Sequence, residues 1–417
     1  MSRLLLLLSN GHGEDLSGAL LGRELLARGM LVEALPLVGH GHPYRQAGIT
    51  VLGRTREFST GGLGYTSLAG RLTELREGQY IDVVRRLLTL RGRRDHLIVA
   101  VGDLLPVLAA WLSRRPTVVY LVAYSSHYEG RLRLPWPCGW LLRRRGVLRI
   151  WSRDQLTATD LSAQLQRPVS FLGNPFLDLV AEAGEPIPSV AAQTLAVLPG
   201  SRLPEALRNL ERILRLLAEL PAALQQPDSL ALQAGLVGDL DATTISRIAA
   251  PLGWRLEQGQ GAADGNASLV LVRAPQRLQL HWGRFAAVLA GSDLVLSMTG
   301  TAAEQAVGLG KPVLQLEGQG PQFTPGFAEA QRRLLGPGLT CAIAPEGGDA
   351  TLQATAALAT RLLARLADPA QGHRWRGELA TIGTERIGRP GGSARMADAI
   401  MEVLEAQPPN RDAALPR

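Results

Sequence analysis

Two stretches are built alike: Leu195-Ala196-Val197-Leu198-Pro199-Gly200-Ser201-Arg202, and Leu294-Val295-Leu296-Ser297-Met298-Thr299-Gly300-Thr301-Ala302-Ala303-Glu304-Gln305. Each opens on a short apolar run, breaks at a glycine beside hydroxylated residues, and continues into a helix-like segment. That succession is a βα unit. In an open α/β sheet such a turn presents free backbone N–H groups and small hydroxyls to a phosphate. In the second stretch Gly300 lets a ligand approach the backbone, Thr299 and Thr301 add hydroxyl donors, and Glu304 falls in the first helical turn, in reach of a ribose diol. The structural alternative is a capping box, Thr301 with Glu304 three residues on. In the first stretch Arg202 follows the Gly200-Ser201 turn and supplies the cation a diphosphate needs; the alternative is a plain βα turn. Gly200, Ser201, Arg202, Thr299, Gly300, Thr301, Glu304 and Gln305 together describe a site for a nucleotide diphosphate, and more narrowly for a nucleotide-sugar.

The same alternation runs outward along the chain. Strands are expected at Leu4–Leu8, Leu31–Leu37, Leu97–Val101, Val118–Val122, Val147–Trp151 and Val169–Leu172, with a helix over Leu16–Arg28. Pro186 and Pro188 interrupt the pattern, which restarts at Leu195–Leu198 with a helix from about Pro204, where Leu207, Leu210, Leu214 and Leu217 share a face. Further strands follow at Leu230–Gln233, Leu269–Val272, Leu294–Ser297 and Val313–Leu316, then a helix over Leu352–Leu366. A last helix, Ala394–Glu405, carries the stripe Met396, Ala399, Ile400 and Val403. This predicts an α/β chain of two doubly wound parallel-sheet domains: residues 1–180, a linker at 181–190, residues 191–390, a terminal helix at 391–406 that crosses back to the first domain, and a frayed tail at 407–417.

Composition agrees. The 417 residues suit two domains, and 46% hydrophobic with 19% charged residues can fill a large core. The net charge is +7, and Lys311 is the only lysine among 44 basic residues. No nucleic-acid-binding module is visible, so nucleic acid is not an expected partner. Cys138 and Cys341 read as free thiols of a reducing compartment, and Leu4–Leu8 is too short for a signal-peptide core. No run reaches the length of a membrane span. The expectation is a cytoplasmic protein, with peripheral contact at the inner face of a membrane left open. Trp136, Trp140 and Arg143–Arg145 mix aromatics with arginines, as an anionic-membrane surface or a solvated basic loop would.

The turn Ser9–Asp15 after the first strand holds Gly11, His12, Gly13, Glu14 and Asp15. It lacks a dinucleotide-binding spacing, yet His12 or Asp15 is placed to touch an acceptor hydroxyl or the donor phosphates. Favourable acidic placement at a helix start is the alternative for Glu14 and Asp15. Asp103 ends the third strand at Val101-Gly102-Asp103, where a general base would face a crevice; a helix cap is its alternative. His40 and His42 lack further ligands at useful spacing, and no metal is expected.

At these residues the chain resembles lipid-A-disaccharide synthase and, more broadly, the GT-B glycosyltransferases. Leu198-Pro199-Gly200-Ser201-Arg202 is similar to that synthase's signature, and Thr299-Gly300-Thr301-Ala302-Ala303-Glu304 to its Ser-Gly-Thr-Ala-x-x-Glu loop. Phe171-Leu172-Gly173-Asn174-Pro175 resembles its Ile-Gly-His-Pro-like segment, which adds Asn174 to the acceptor-side residues Gly11, Gly13 and Glu14. The resemblance spans most of the second half and is thinner in the first. It implies two Rossmann-like domains facing a cleft, a metal-independent UDP-sugar site mainly in the C-terminal domain with no cofactor, inversion at the anomeric carbon, and an acceptor held by the N-terminal domain. It implies a catalytic role for Asp103 and donor-site roles for Arg202 and Glu304. Where the synthase carries Gly-Glu-x-Ser-Gly-Asp, this chain has Gly11-His12-Gly13-Glu14-Asp15, so the acceptor side differs and the likeness is to a divergent branch. Other GT-B enzymes place a histidine in this turn, so His12 and Asp103 both stand as candidate bases.

The expected activity is transfer of a sugar from a UDP-sugar to a lipid-linked or other hydrophobic acceptor. Two other classes fit the same residues. One is a UDP-N-acetylglucosamine 2-epimerase-like enzyme using Glu14, Asp15 and Asp103. The other is a non-catalytic nucleotide-sugar-binding protein.

Overall fold

The computed structural model describes residues 3–53, 86–90, 92–93, 95–181, 185–259, 269–318, 325–342 and 348–407. Most of the expected tail, and residues 182–184 of the expected linker, lie outside these. The chain forms two compact units. One runs to Asp178 and resumes at Gly388; the other is Leu179–Ile387.

The first unit is a parallel sheet. Its strands are β1 (Leu4–Ser9), β2 (Leu31–Pro36), β3 (Thr50–Val51), β4 (Leu97–Gly102), β5 (Thr117–Leu121) and β6 (Val147–Ser152), in the order β3-β2-β1-β4-β5-β6. β1 is apolar at Leu5, Leu6, Leu7 and Leu8 because both of its faces are covered, and each of the four is fully buried. Leu5 and Leu7 join one core layer with Leu21 and Leu25 of helix α1 (His12–Ala27). Leu6 and Leu8 join the opposite layer with Val107 and Ala110 of helix α2 (Leu104–Ser113). This is the two-residue alternation of a strand read on both sides at once.

The C-terminal helix Gly392–Glu405 belongs to the first unit. Met396, Ala397, Ile400, Val403 and Leu404 lie in the same core layer as Leu5, Leu7 and Leu21. Ala397 and Leu404 extend the stripe expected from sequence, while Ala399 is only partly buried at its edge. The helix has no side-chain cap of its own. Asp178 takes that role from afar, with Oδ1 accepting from Gly391 N (2.7 Å) and Gly392 N (3.2 Å), and Oδ2 from Ser393 N (2.8 Å).

One expected strand is corrected. Val169–Leu172 forms only a bridge, Trp151 to Ser170, between Pro168 and Gly173 at φ +96°. A proline before and a left-handed glycine after leave no length for a ladder.

The second unit repeats the winding. Its strands are β7 (Gln193–Leu198), β8 (Leu230–Leu236), β9 (Arg255–Gln258), β10 (Leu269–Arg273), β11 (Gln276–Trp282), β12 (Leu294–Ser297), β13 (Val313–Gln315) and β14 (Leu339–Cys341), in the order β14-β13-β12-β7-β8-β11-β10-β9. The expectation of an all-parallel sheet fails at one edge. β10 runs antiparallel to both β9 and β11. The run Gln276-Arg277-Leu278-Gln279-Leu280 alternates buried Gln276, Leu278 and Leu280 with more exposed Arg277 and Gln279, a half-buried pattern that a search for continuous apolar runs passes over. The helix Pro369–Arg386 was also not expected; Asp368 caps it through Ala370 N and Gln371 N, with Pro369 at its first position.

Candidate functional site

In both sheets the first strand of the unit lies inside the sheet, with the second strand on one side and a later strand on the other: β4 beside β1 in the first unit, and β12 beside β7 in the second, after the winding through β8 to β11. The chain direction reverses across the sheet between those two strands. The helices that follow them leave on opposite faces, which opens a crevice at the C-terminal strand ends. In the second unit the two strands are β7 and β12, whose ends are followed by the two loops first singled out. In the first unit they are β1 and β4, followed by Asn10-Gly11 and by Asp103. The topology therefore brings each candidate set to one place within its own unit.

In the second unit Ser297 is in register with Leu198, and Met298 N donates to Leu198 O at 2.9 Å. Gly200 sits at φ +114°, and a Cβ there would lie 3.5 Å from Met298 O and 3.9 Å from Thr299 Cγ2. Space is ordinary at this position, so the left-handed backbone is what selects glycine. Asn209, on helix α3 (Glu205–Ala218), donates Nδ2 to Pro199 O at 2.8 Å and holds the turn from beneath. Ser297 Oγ and Thr299 Oγ1 are 2.7 Å apart.

Helix α4 (Thr301–Gly308) begins after Gly300, which is its N-cap, and no side chain caps it. The capping box of Thr301 and Glu304 is therefore not formed. Thr301 is exposed instead, and the N–H groups of the first turn face the crevice end with their partial positive charge. Glu304 and Gln305 are buried at 7% and 5% exposure. Ser201 and Arg202 are exposed, and the Arg202 guanidinium has no ion-pair partner among the described residues. The loop pair thus presents a cation, hydroxyls and uncapped N–H groups at one sheet edge, with a buried carboxylate one helical turn in.

In the first unit Asn10 Nδ2 donates to Asp103 Oδ1 at 2.7 Å, and the same oxygen accepts from Leu105 N at 2.9 Å. Asp103 is thus the N-cap of α2 as well as a residue of the crevice, and among the described residues its Oδ2 accepts no hydrogen bond. Gly102, at φ +140°, admits this arrangement: a Cβ there would stand 2.1 Å from Asn10 Oδ1 and 3.3 Å from Glu14 Cγ. Asn10 Oδ1 is buried and has no hydrogen-bond partner among the described residues.

The expected turn Ser9–Asp15 is shorter than its sequence suggests. His12, Gly13, Glu14 and Asp15 are already the first turn of α1, and Gly11 is its N-cap. The side chain of His12 lies outside the described part of the structure. Burial raises the Glu14 carboxyl above the usual range; the Asp103 charge adds to this and Arg153 opposes it. Asp15 is buried and accepts a 2.6 Å hydrogen bond from Ser9 Oγ, which in turn accepts from Tyr44 OH at 2.9 Å. Burial pushes the Asp15 carboxyl up to about 7 despite the Ser9 hydrogen bond, with the nearby Glu14 charge adding to the rise. Asp15 underlies the start of α1 rather than facing outward with Asp103.

Asn174 is fully buried, and its Oδ1 accepts from Phe176 N at 3.1 Å. The neighbouring Gly173 packs against the backbone of Arg389 and Gly392, so this segment seats the C-terminal helix. Gly13 faces Phe176, with 3.7 Å from a Cβ at Gly13 to Phe176 Cζ. Sequence reasoning did not single out Ser9 as the partner of Asp15, nor Asn10, Tyr44, Arg153 and Asp178. Asn10, directly after β1, and Arg153, directly after β6, carried a signal by position alone. Tyr44 and Asp178 carried none. Among the described residues no three His, Cys, Asp or Glu side chains gather as metal ligands; the His40 and His42 rings are tilted to each other, with centroids 5.4 Å apart.

No protein-family model matches the chain. A lipid-A-disaccharide synthase from Alkalilimnicola ehrlichii is 30% identical over 264 residues, which cover 60% of this chain and 61% of that synthase. The match therefore spans less than two thirds of the relative's length. Among solved structures, the glycotransferase of kitacinnamycin superposes with a TM-score of 0.60 at 18% identity, over 97% of this chain and 100% of that one. A UDP-GlcNAc 2-epimerase from Neisseria meningitidis, bound to UDP-GlcNAc, superposes with a TM-score of 0.50 at 15% identity, over 96% of this chain and 100% of that one. The chain has the GT-B fold, and over 264 residues its sequence is similar to that of one lipid-A-disaccharide synthase.

Proposed function

We propose that the protein is an inverting glycosyltransferase that moves a sugar from a UDP-sugar to a lipid-linked or other hydrophobic acceptor. The observation that carries this is the pairing of Gly200-Ser201-Arg202 with Thr299-Gly300-Thr301 at the β7–β12 edge, beside an uncapped helix N-terminus. The diphosphate rests on the Ser201 and Thr301 hydroxyls, the α4 N–H groups and Arg202, and Glu304 takes the ribose. Arg202 and the helix terminus supply the positive charge on which the leaving diphosphate depends, without a metal.

In the transfer step an acceptor hydroxyl gives its proton to Asp103 Oδ2, or to His12. Its oxygen bonds to the anomeric carbon as the bond from that carbon to the diphosphate oxygen breaks. The electron pair leaves with UDP, and the configuration inverts. Asp15 and Tyr44 position the start of α1 through Ser9, and Gly11, Gly13, Glu14 and Asn174 shape the acceptor side. An acceptor of lipid character is favoured by similarity to that synthase. A cytoplasmic setting is proposed on the free thiols Cys138 and Cys341; no described helix is long and apolar enough to cross a membrane.

A UDP-sugar panel read by thermal shift, followed by transfer into a lipid extract, tests the proposal. UDP-dependent stabilisation together with loss of donor only when extract is present supports it. Conversion of UDP-GlcNAc with no acceptor would replace it by the 2-epimerase reading, which the Glu14 and Asp103 carboxylates and the fold of the Neisseria enzyme favour. UDP binding with no turnover under any acceptor mixture would leave a nucleotide-sugar-binding protein.

A further inference from the structure

In the first unit two cavities of about 640 and 870 Å³, lined by residues within 131–150 and 164–170, meet at Arg143 and Leu165. Arg131 and Arg133 line the first, Arg145, Arg149 and Arg167 the second, and no carboxylate lines either. The neighbouring carboxylate, Asp160, is engaged by Ser126 Oγ, Leu132 N and Gln164 Nε2. Arg143, Arg144, Arg145 and Arg149 form no ion pair among the described residues. Burial and the charge of Arg149 lower the pKa of Arg167, as expected where positive charge is uncompensated.

The same face carries large apolar groups in water. Trp136 is 89% exposed, and Trp140, Trp111 and Leu112 are about half exposed. Trp140 packs edge-on to Trp111 with centroids 5.9 Å apart and takes the Arg144 guanidinium on its ring at 4.1 Å. Isolated exposed apolar residues are ordinary, but indoles bordered by arginines that have no carboxylate partner among the described residues have the composition of a headgroup-level anchor.

We propose that this face docks on an anionic lipid bilayer, with Trp136 and Trp140 entering the headgroup layer and the arginine-lined groove taking lipid phosphates. Nucleic acid is the lesser match, because it offers Trp136 and Leu112 no apolar layer to enter. The surface is independent of the sugar-transfer reading, since no residue assigned to nucleotide or acceptor belongs to it.

The test is co-sedimentation with vesicles of phosphatidylcholine alone, and of phosphatidylcholine mixed with phosphatidylglycerol, at low and high salt, with UDP-induced thermal shift measured on each sample. The parent protein is expected to bind the mixed vesicles, with a blue shift of tryptophan emission, and to release at high salt. Arg143→Ser/Arg144→Ser/Arg145→Ser should weaken that binding roughly 100-fold, and Trp136→Ala/Trp140→Ala by roughly tenfold or more. All five side chains are exposed, so melting curves should match the parent's. The UDP response should be unchanged in both variants. Equal binding to neutral vesicles, variants that bind as the parent does, or preference for a DNA duplex over the mixed vesicles would overturn the proposal.

Discussion

Asp178 Oδ2 accepts the backbone N–H of Ser393 at 2.8 Å across 215 positions of chain, while Oδ1 takes Gly391 and Gly392. One carboxylate thereby caps a helix that has no cap of its own, and it does so from the end of the first unit's N-terminal portion. The C-terminal helix then lays Met396, Ile400 and Leu404 against the core layer of Leu5, Leu7 and Leu21.

Asp178→Ala should destabilise the protein by about 1–3 kcal/mol, because it removes a cap and leaves three N–H groups without an acceptor. Asp178→Asn keeps one acceptor oxygen and should recover part of the loss. Urea unfolding of parent and both variants measures this; equal midpoints would show that the helix is held by packing alone.

Asp15 gives a pH dependence with a definite sign. Burial raises its carboxyl from 3.8 to about 7 in the folded protein. Between those values the folded state keeps a proton that the unfolded chain has lost, so Asp15 makes stability fall as pH rises from about 4 to 7 and adds no further slope above. The full span is of order 4 kcal/mol at ~1.4 kcal/mol per unit. Asp15→Asn removes this slope while keeping an acceptor for Ser9. Unfolding free energies of parent and variant across that window should therefore converge at low pH and separate in the variant's favour towards neutral pH; parallel curves would remove Asp15 as the source.

Glu304 is buried at the first turn of α4, so its roles in packing and in ligand contact need separating. Glu304→Gln preserves the shape and should weaken UDP binding by about 1–3 kcal/mol, roughly fivefold to 150-fold in Kd. Calorimetric titration with UDP measures it. An unchanged Kd in a folded variant would end the ribose assignment.

Asp103→Asn separates charge from scaffold. The amide oxygen can still accept from Leu105 N and Asn10 Nδ2, so α2 stays capped and the thermal midpoint should hold. UDP affinity should be unchanged and transfer abolished, once an acceptor is in hand. Normal turnover in this variant would assign the base to His12.

Much of the fold is legible in sequence because a parallel strand covered on both faces must be a short apolar run, as Leu4–Leu8 and Leu294–Leu296 are. The same rule explains what escapes. Gln276–Trp282 borders an antiparallel edge and alternates with polar residues, and Pro369–Arg386 has a strong cap but no continuous apolar stripe. The second-unit loops were legible for a further reason: their glycines and hydroxyls act through their own local backbone. In the first unit, local reading placed Asp15 beside Asp103, whereas the helical twist of α1 turns Asp15 down onto Ser9.

Sequence alone determined that this chain repeats βα units in two domains, and that Gly200-Ser201-Arg202 and Thr299-Gly300-Thr301 each end a strand. Those are local facts, set by periodicity and turn chemistry within a few residues. Only the tertiary structure decided that the two loops share one crevice edge, because that depends on β12 pairing with β7 rather than with β11. It also decided that Asn10 holds Asp103, that Asp15 is buried on Ser9 and Tyr44, and that Asp178 caps the last helix. In all but the Ser9–Asp15 bond the partners lie tens to hundreds of positions apart. What brings them together is the order of strands in the sheet, a property of the whole unit that no window of sequence contains.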